Sequence, residues 1–406
     1  MSTPEQTVRL RPLSLVEEDG EVLVGDPESG TFVTIPAVGG VVISALQRGA
    51  TLAEAEAEAA VFAGEPVNTA AFVAALRELG FVDDDEAHTP TRTAAIQGRF
   101  WLRGVSQRVV RPFFGPAAWT CYCLCFVFNI GVFTVTPSLF PHPAKDALFL
   151  GDIGLSALLL VPFGLLSTAL HECGHWLAAR AIGITSRFGI DRRMMLLVFE
   201  TDLSQVWTVP RRRRYGPLLG GMAIDSVMLS LLLGTRLLIR SGVWSPPVFV
   251  DSLLAAWVFV KLSGFLWQCM IFLRTDLYAV LVNALGCRNL WRVKTLMLRR
   301  AFNCLRPEEN AELSAATAAD VRAGQWFRWV WLVGFLGLTA WFVVFLLPVT
   351  LVVLRWALSG FVRGPLTGQF WYCLICLTLL IGPDTLGAAI ACRDFLRRVF
   401  STRYSS

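Results

Sequence analysis

The sequence predicts a polytopic α-helical membrane protein of about six transmembrane helices, with a soluble α+β domain at its N-terminus. Three observations carry this. Apolar residues make up 54% of the 406 residues, and the mean hydropathy is +0.56, above what a soluble globular chain shows. Apolar runs near the ~20 residues that cross a bilayer recur from about residue 116 onward. Charge is unevenly divided: residues 1–86 hold 16 acidic and 4 basic residues, which leaves 15 acidic and 32 basic in the remainder. An acidic soluble part is thus joined to a basic, very apolar part.

The soluble part reads in order. Short strands are expected at 22–24 and 31–35, separated by the turn Asp26-Pro27-Glu28-Ser29-Gly30. A helix follows over about 38–47. Thr51-Leu52-Ala53-Glu54 is a capping box that opens a second helix. Asn68 or Thr69 caps a third, with Phe72, Leu76 and Leu79 on one face and Gly80 past its end. Phe81-Val82 is expected to return as a strand. The domain takes residues 1–87, and a polar linker and juxtamembrane segment takes 88–115. The N-terminus is polar, without the apolar core of a signal peptide.

Six spans are read in the apolar part: about 116–137, 152–181, 216–241, 248–273, 326–350 and 368–390. Residues 116–290 form a membrane core, and 291–406 a cytoplasmic segment with the last two spans. Arg99, Arg103, Arg108 and Arg111 precede the first span, and the next loop has only Lys145 as a basic residue. The loop after the second span holds Arg187, Arg192, Arg193 and the run 211–214. The positive-inside rule then puts both termini in the cytoplasm. Topology and attraction to anionic lipid account for the arginines, so no nucleic-acid partner is expected. The ten cysteines include a Cys373/Cys376 CxxC inside an apolar run, where two small helix residues are the simpler reading than a redox or metal pair.

His171-Glu172-Cys173-Gly174-His175 carries the chemistry. On a helix, i and i+4 share a face, so two imidazoles reach one Zn²⁺. Glu172 projects beside that face, placed to take a proton from an attacking water. The plainer reading, two helix-end histidines hydrogen-bonded at an interface, leaves a costly polar cluster in an apolar helix without a role. A third ligand is needed. His88 falls in the linker and His142 on the outer side, which leaves carboxylates: Asp276, just after the fourth span, or Asp202. Asp225 and Lys261 lie at similar depth in consecutive antiparallel spans, and a mutual ion pair is the expected resolution.

The stretch Leu170-His171-Glu172-Cys173-Gly174-His175-Trp176 resembles the HExGH helix of site-2-type intramembrane zinc metalloproteases. Phe272-Leu273-Arg274-Thr275-Asp276-Leu277-Tyr278 is similar to that family's later ligand motif, which implies Asp276 as third ligand, with Leu277 where the family has Gly. Gly220-Gly221-Met222-Ala223-Ile224-Asp225 resembles a further family element, with Met222 in place of Pro and Asp225 in place of Asn. That likeness implies contact between Asp225 and substrate.

The strand and helix order of residues 1–87 resembles the PqqD-like, winged-helix-like recognition element of ribosomal peptide natural-product pathways, with Phe32-Val33-Thr34-Ile35 as the best local match. Such domains add a leader peptide as a strand, which implies Phe32, Val33 and Ile35 as leader contacts. The two likenesses together imply a zinc metalloendopeptidase of the bacterial inner membrane that cuts a precursor peptide. Peptide-modifying enzymes or an exporter of the same pathway are the further partners implied. The rival class is a non-catalytic peptide-binding membrane protein for export or immunity. The stretch 194–199 is expected to form an edge strand that holds substrate extended.

Overall fold

In the computed structural model, residues 8–18, 20–26, 31–83, 99–102, 105–146, 148–184, 186–193 and 196–403 are described. The chain opens with an antiparallel sheet in the order β1 (Ser14–Glu18), β2 (Glu21–Asp26), β3 (Thr31–Pro36). Val22 pairs with Ile35, and Val24 with both Leu15 and Val33. Alternation turns Val22 and Val24 onto α1 (Ala37–Gln47), α2 (Leu52–Ala63) and α3 (Thr69–Glu78), where Ile43, Leu46, Ala55, Val73 and Leu76 complete an apolar core. The Thr51/Glu54 capping box is reciprocal, and Asn68 Oδ1 accepts the Ala71 amide at 2.9 Å.

Three features of this domain differ from expectation. Strand β1 is additional; only Val16 in it is buried, so its apolar signal is faint. Phe81-Val82 makes a single antiparallel bridge, Leu10 to Val82, rather than a strand. Leu79 follows the last helical residue and is exposed, and Val73 takes its place on the buried face.

Among the described residues beyond the linker, five helices are long and apolar enough to cross a membrane: α4 (Pro116–Val135), α5 (Ile153–Ala181), α6 (Arg211–Arg240), α7 (Val248–Gln268) and the helical stretch Ala318–Val344. The expected sixth span lies within a helix, Gly368–Arg403, whose described apolar part is Gly368–Leu380. Helix α6 is central and packs on α4, α5 and α7. It meets α5 backbone to backbone: a Cβ on Gly174 would strike the Gly220 carbonyl, and a Cβ on Gly220 that of Gly174. Two glycines at one crossing let the helices touch, and that contact brings their polar side chains together.

A second sheet has the order β4 (Arg99–Leu102), β5 (Arg187–Arg193), β6 (Leu196–Asp202); β5 and β6 lie between α5 and α6 in sequence, and β4 precedes α4. Strand β6 is outermost, with α5 and the C-terminal helix packed along it. Met194 and Met195, expected in this strand, lie outside the described residues. The 211–214 arginines, expected in a loop, form the first turn of α6 after Pro210. Helix α7 ends at Gln268, five residues before the expected 273. There the chain turns through Arg274, at φ +59°, into a new helix, α8 (Asp276–Leu285). Three more helices follow: α9 (Leu290–Ala301), α10 (Pro307–Ser314) and α11 (Ala318–Trp341). The β1–β2 turn rests on this end of the bundle. Glu18 accepts the Arg211 amide at 3.1 Å and pairs with Arg214, and Glu21 pairs with Arg288.

Candidate metal centre

His171 and His175 lie one turn apart near the C-terminal end of α5, both buried. Asp276 is the first residue of α8. The turn before it is held to α7: Thr275 Oγ1 donates to the Gln268 carbonyl at 2.8 Å, and the Asp276 amide to Gln268 Oε1 at 3.0 Å. This places Asp276 Oδ2 at 2.9 Å from His171 Nε2 and 3.0 Å from His175 Nε2, with the two Nε2 atoms 3.1 Å apart. Among the described residues these three alone form such a cluster.

The other ring nitrogens decide what the cluster is for. His171 Nδ1 faces Asp225 Oδ2 at 2.8 Å, and His175 Nδ1 faces the Pro217 carbonyl at 2.7 Å. Both partners only accept, so each Nδ1 carries the proton and each Nε2 of a neutral ring offers a lone pair. Two lone pairs and a carboxylate oxygen then converge, an arrangement that calls for a cation. Ligands at about 2.0–2.1 Å in a tetrahedron stand roughly 3.3 Å apart, near the separations seen. Formal charge agrees: the carboxylates of Glu172, Asp225 and Asp276 outnumber by two the one ammonium nearby, Lys261 on Asp225, so a divalent cation balances the group. The donor set of two imidazoles and a carboxylate fits zinc.

Gly221 supplies the space. A Cβ there would stand 2.5 Å from both Nε2 atoms, so any other residue would intrude on the convergence point. Burial raises the Asp276 carboxyl, but the adjacent His175 and His171 outweigh it and hold it well below the usual carboxylate range. Asp276 is thus an anion ready to ligate across the physiological range.

Glu172, one residue along the helix from His171, reaches β6. Its Oε2 accepts the Thr201 amide at 3.0 Å, and its main-chain carbonyl accepts Thr201 Oγ1 at 2.8 Å. Among the described residues Oε1 has no hydrogen-bond partner.

Asp202 is not in the cluster; its Oδ1 accepts the Ser204 amide at 3.0 Å and closes a turn. His142 sits between α4 and α5, with its amide on Asp146, and His88 lies outside the described residues. Asp225 differs from the substrate-contact reading. One oxygen is taken by His171 and the other by Lys261, the expected ion pair, so it stands behind the histidine. In the N-terminal domain Ile35 is buried in the core, with Phe32 and Val33 half-buried on edge strand β3. A leader contact by the Ile35 side chain is therefore replaced by a packing role.

Sequence reasoning missed Thr201, the Pro217 carbonyl, Gly221 and Gln268. Only Gly220-Gly221 left a signal, as adjacent glycines inside an apolar helix. Comparison with protein-family models, with curated proteins and with solved structures gives no match.

Proposed function

We propose that this chain is a membrane zinc endopeptidase acting on a ribosomally made precursor peptide. The single observation that carries the reading is the convergence of His171 Nε2, His175 Nε2 and Asp276 Oδ2, with a carboxylate, Glu172, one residue along the same helix. These three residues hold the ion, and Glu172 is the acid–base group. Zinc supplies a Lewis acid for a peptide carbonyl and for water.

Glu172 is built for proton transfer. The Thr201 amide fixes one carboxylate oxygen and leaves Oε1 to take a proton from the attacking water and return it to the departing amine. Strand β6, which carries Thr201, is the outer strand of its sheet. A substrate held extended beside Glu172 would have its carbonyls exposed there, where a helical substrate would hide them. The N-terminal domain captures the leader along β3, the matching edge of its own sheet. The arginines at the start of α6 support an orientation with this end of the bundle on the cytoplasmic side of a bacterial inner membrane, and both termini on that side.

The test is full-length protein purified in detergent with any short peptide found encoded beside its gene, cleavage being read by mass spectrometry. Glu172→Gln keeps the metal and loses cleavage by a factor of about 100 or more. Cleavage at the wild-type rate in that variant rejects the mechanism. Metal binding with no cleavage by the wild type favours the non-catalytic binding protein.

A further inference from the structure

The buried groups behind the metal ligands form a chain that runs through three helices. Lys261 on α7 pairs with Asp225 Oδ1 and donates to Ser167 Oγ on α5 at 2.7 Å. Asp225 on α6 turns its other oxygen to His171 Nδ1 at 2.8 Å. Ser167 lies one turn before His171 on the same face of α5. Lys261, Asp225 and Ser167 are each buried. None of them touches the point where the three ligand atoms converge.

From this geometry we infer that Asp225 and Lys261 are a positioning pair for the metal centre: Asp225 fixes the tautomer and rotation of His171, and Lys261 fixes Asp225. The inference rests on the metal reading above. An imidazole on a helix keeps freedom about χ2, and its two nitrogens are alternative ligands. Accepting the Nδ1 proton selects Nε2 and sets the ring plane. The carboxylate must itself be held. A lone Asp225 would be an unpaired charge among apolar helices, and rotation about its own χ2 would release His171. Lys261 takes the remaining oxygen and removes both faults. Ser167 fixes the ammonium from the helix that carries the histidine, so the pair is braced on both sides.

His175 makes a contrast within the same centre. Its Nδ1 partner is the Pro217 carbonyl, a main-chain oxygen with two lone pairs that can accept from the ring beside any helix bond. That partner is fixed by backbone and needs no brace. Only the His171 arm depends on side chains, so only that arm is sensitive to Lys261.

The experiment uses full-length metal-free protein titrated with Co²⁺, reading the d–d absorption bands and the affinity by competition with a chelator. Lys261→Met is expected to weaken Co²⁺ on the order of 10–100-fold and to alter the bands. Asp225→Asn with Lys261→Met should regain most of that loss, because the amide oxygen still accepts from His171 and no charge is orphaned. Asp225→Leu with Lys261→Met, equally uncharged but without an acceptor, should not. The two double variants share an uncharged pair, so their difference stands even if the single Lys261→Met protein does not fold. Equal affinity and spectra in the Asn and Leu doubles, or a wild-type titration for Lys261→Met, overturns the positioning pair. Wild-type protein that fails to bind Co²⁺ or Zn²⁺ instead overturns the metal reading on which it rests.

Discussion

Two lysines in this chain are buried to the same degree, each 3% exposed, and they are neutralised in opposite ways. Lys261, among the long apolar helices, meets a carboxylate and a hydroxyl. Lys294, on α9, has no carboxylate within ion-pair distance among the described residues. Its ammonium lies 3.8 Å from the centroid of Trp291 and 4.1 Å from that of Trp331. Arg214 combines both modes: it pairs with Glu18 and lies 5.2 Å over the ring of Trp207. The comparison separates buried charge that serves a site from buried charge that serves packing. Around Lys261 each charge points at another, and the sequence of contacts ends at His171 in the candidate metal centre. Around Lys294 the contacts end on ring faces.

The sharpest way to break this contrast is to disturb the end point of the first chain. Asp276→Ala removes one of three ligands, and Gly221→Ala puts a methyl group 2.5 Å from both Nε2 atoms. Both should lose bound zinc by more than tenfold in elemental analysis, with cleavage at background. Gly234→Ala, on the same helix with open space around it, should keep zinc and gain slightly in thermal stability. Full zinc in Gly221→Ala would show that the ion does not sit between the two imidazoles.

An intermediate effect is expected where the modes combine. Arg214 is buried, and its guanidinium also donates to the Val209 and Trp207 carbonyls, at 2.9 and 3.3 Å. Glu18→Ala leaves that cation with carbonyls and an indole but no carboxylate, a loss of about 1–3 kcal/mol in denaturant unfolding. Glu18→Gln, which keeps an acceptor, should lose less. The same contact bears on removal of residues 1–90. Such a truncation takes Glu18 and Glu21 from the face that starts α6 and so perturbs the core as well as leader capture. Unchanged unfolding in Glu18→Ala would mean that the N-terminal domain is tethered rather than docked.

The site was legible to the extent that its signals were local or depth-based. His171, Glu172 and His175 share one helical turn, and Asp225 and Lys261 were paired from depth alone. Asp276 was placed alongside Asp202 as a candidate by elimination and depth, and singled out by resemblance; what positions it was invisible, since the bonds to Gln268 span a turn closed by a positive-φ arginine. Thr201 was hidden for a different reason. Its main-chain amide binds Glu172 across 29 residues, and backbone groups have no residue type to notice. Strand β6 was anticipated over 194–199, but the sheet around it escaped because β4 lies in a juxtamembrane segment far from its partners in sequence. In the N-terminal domain the helices and β2 followed from caps and alternation, whereas β1 buries one side chain and left almost no pattern. Lys294 was missed because a lysine beside tryptophan on an amphipathic helix reads as an interfacial residue.

The smallest effect is expected at Lys294, and its signature lies in pH. Burial first, and the nearby Arg274 second, push the Lys294 ammonium down to about 8 from an ordinary value of 10.5. A base lowered in the folded state means that, between pH 8 and 10.5, the unfolded chain holds a proton that the folded one has released. Stability from this group therefore rises with pH across that window and is flat below it. One pKa unit corresponds to about 1.4 kcal/mol, so the rise is on the order of 1–3 kcal/mol. Lys294→Met removes the burial cost of the charge and, with it, the attraction of two indole faces, about 0.5–2 kcal/mol each. The two nearly cancel at pH 7, where the variant should unfold within about 1 kcal/mol of the wild type. At pH 10 the wild type should have gained on the variant, because other titrating groups move both proteins alike. Thermal unfolding of the pair in one detergent at pH 7 and pH 10 reads the difference directly. Parallel pH profiles would show that the Lys294 charge is not desolvated between Trp291 and Trp331, and the two buried lysines would then differ less than their surroundings indicate.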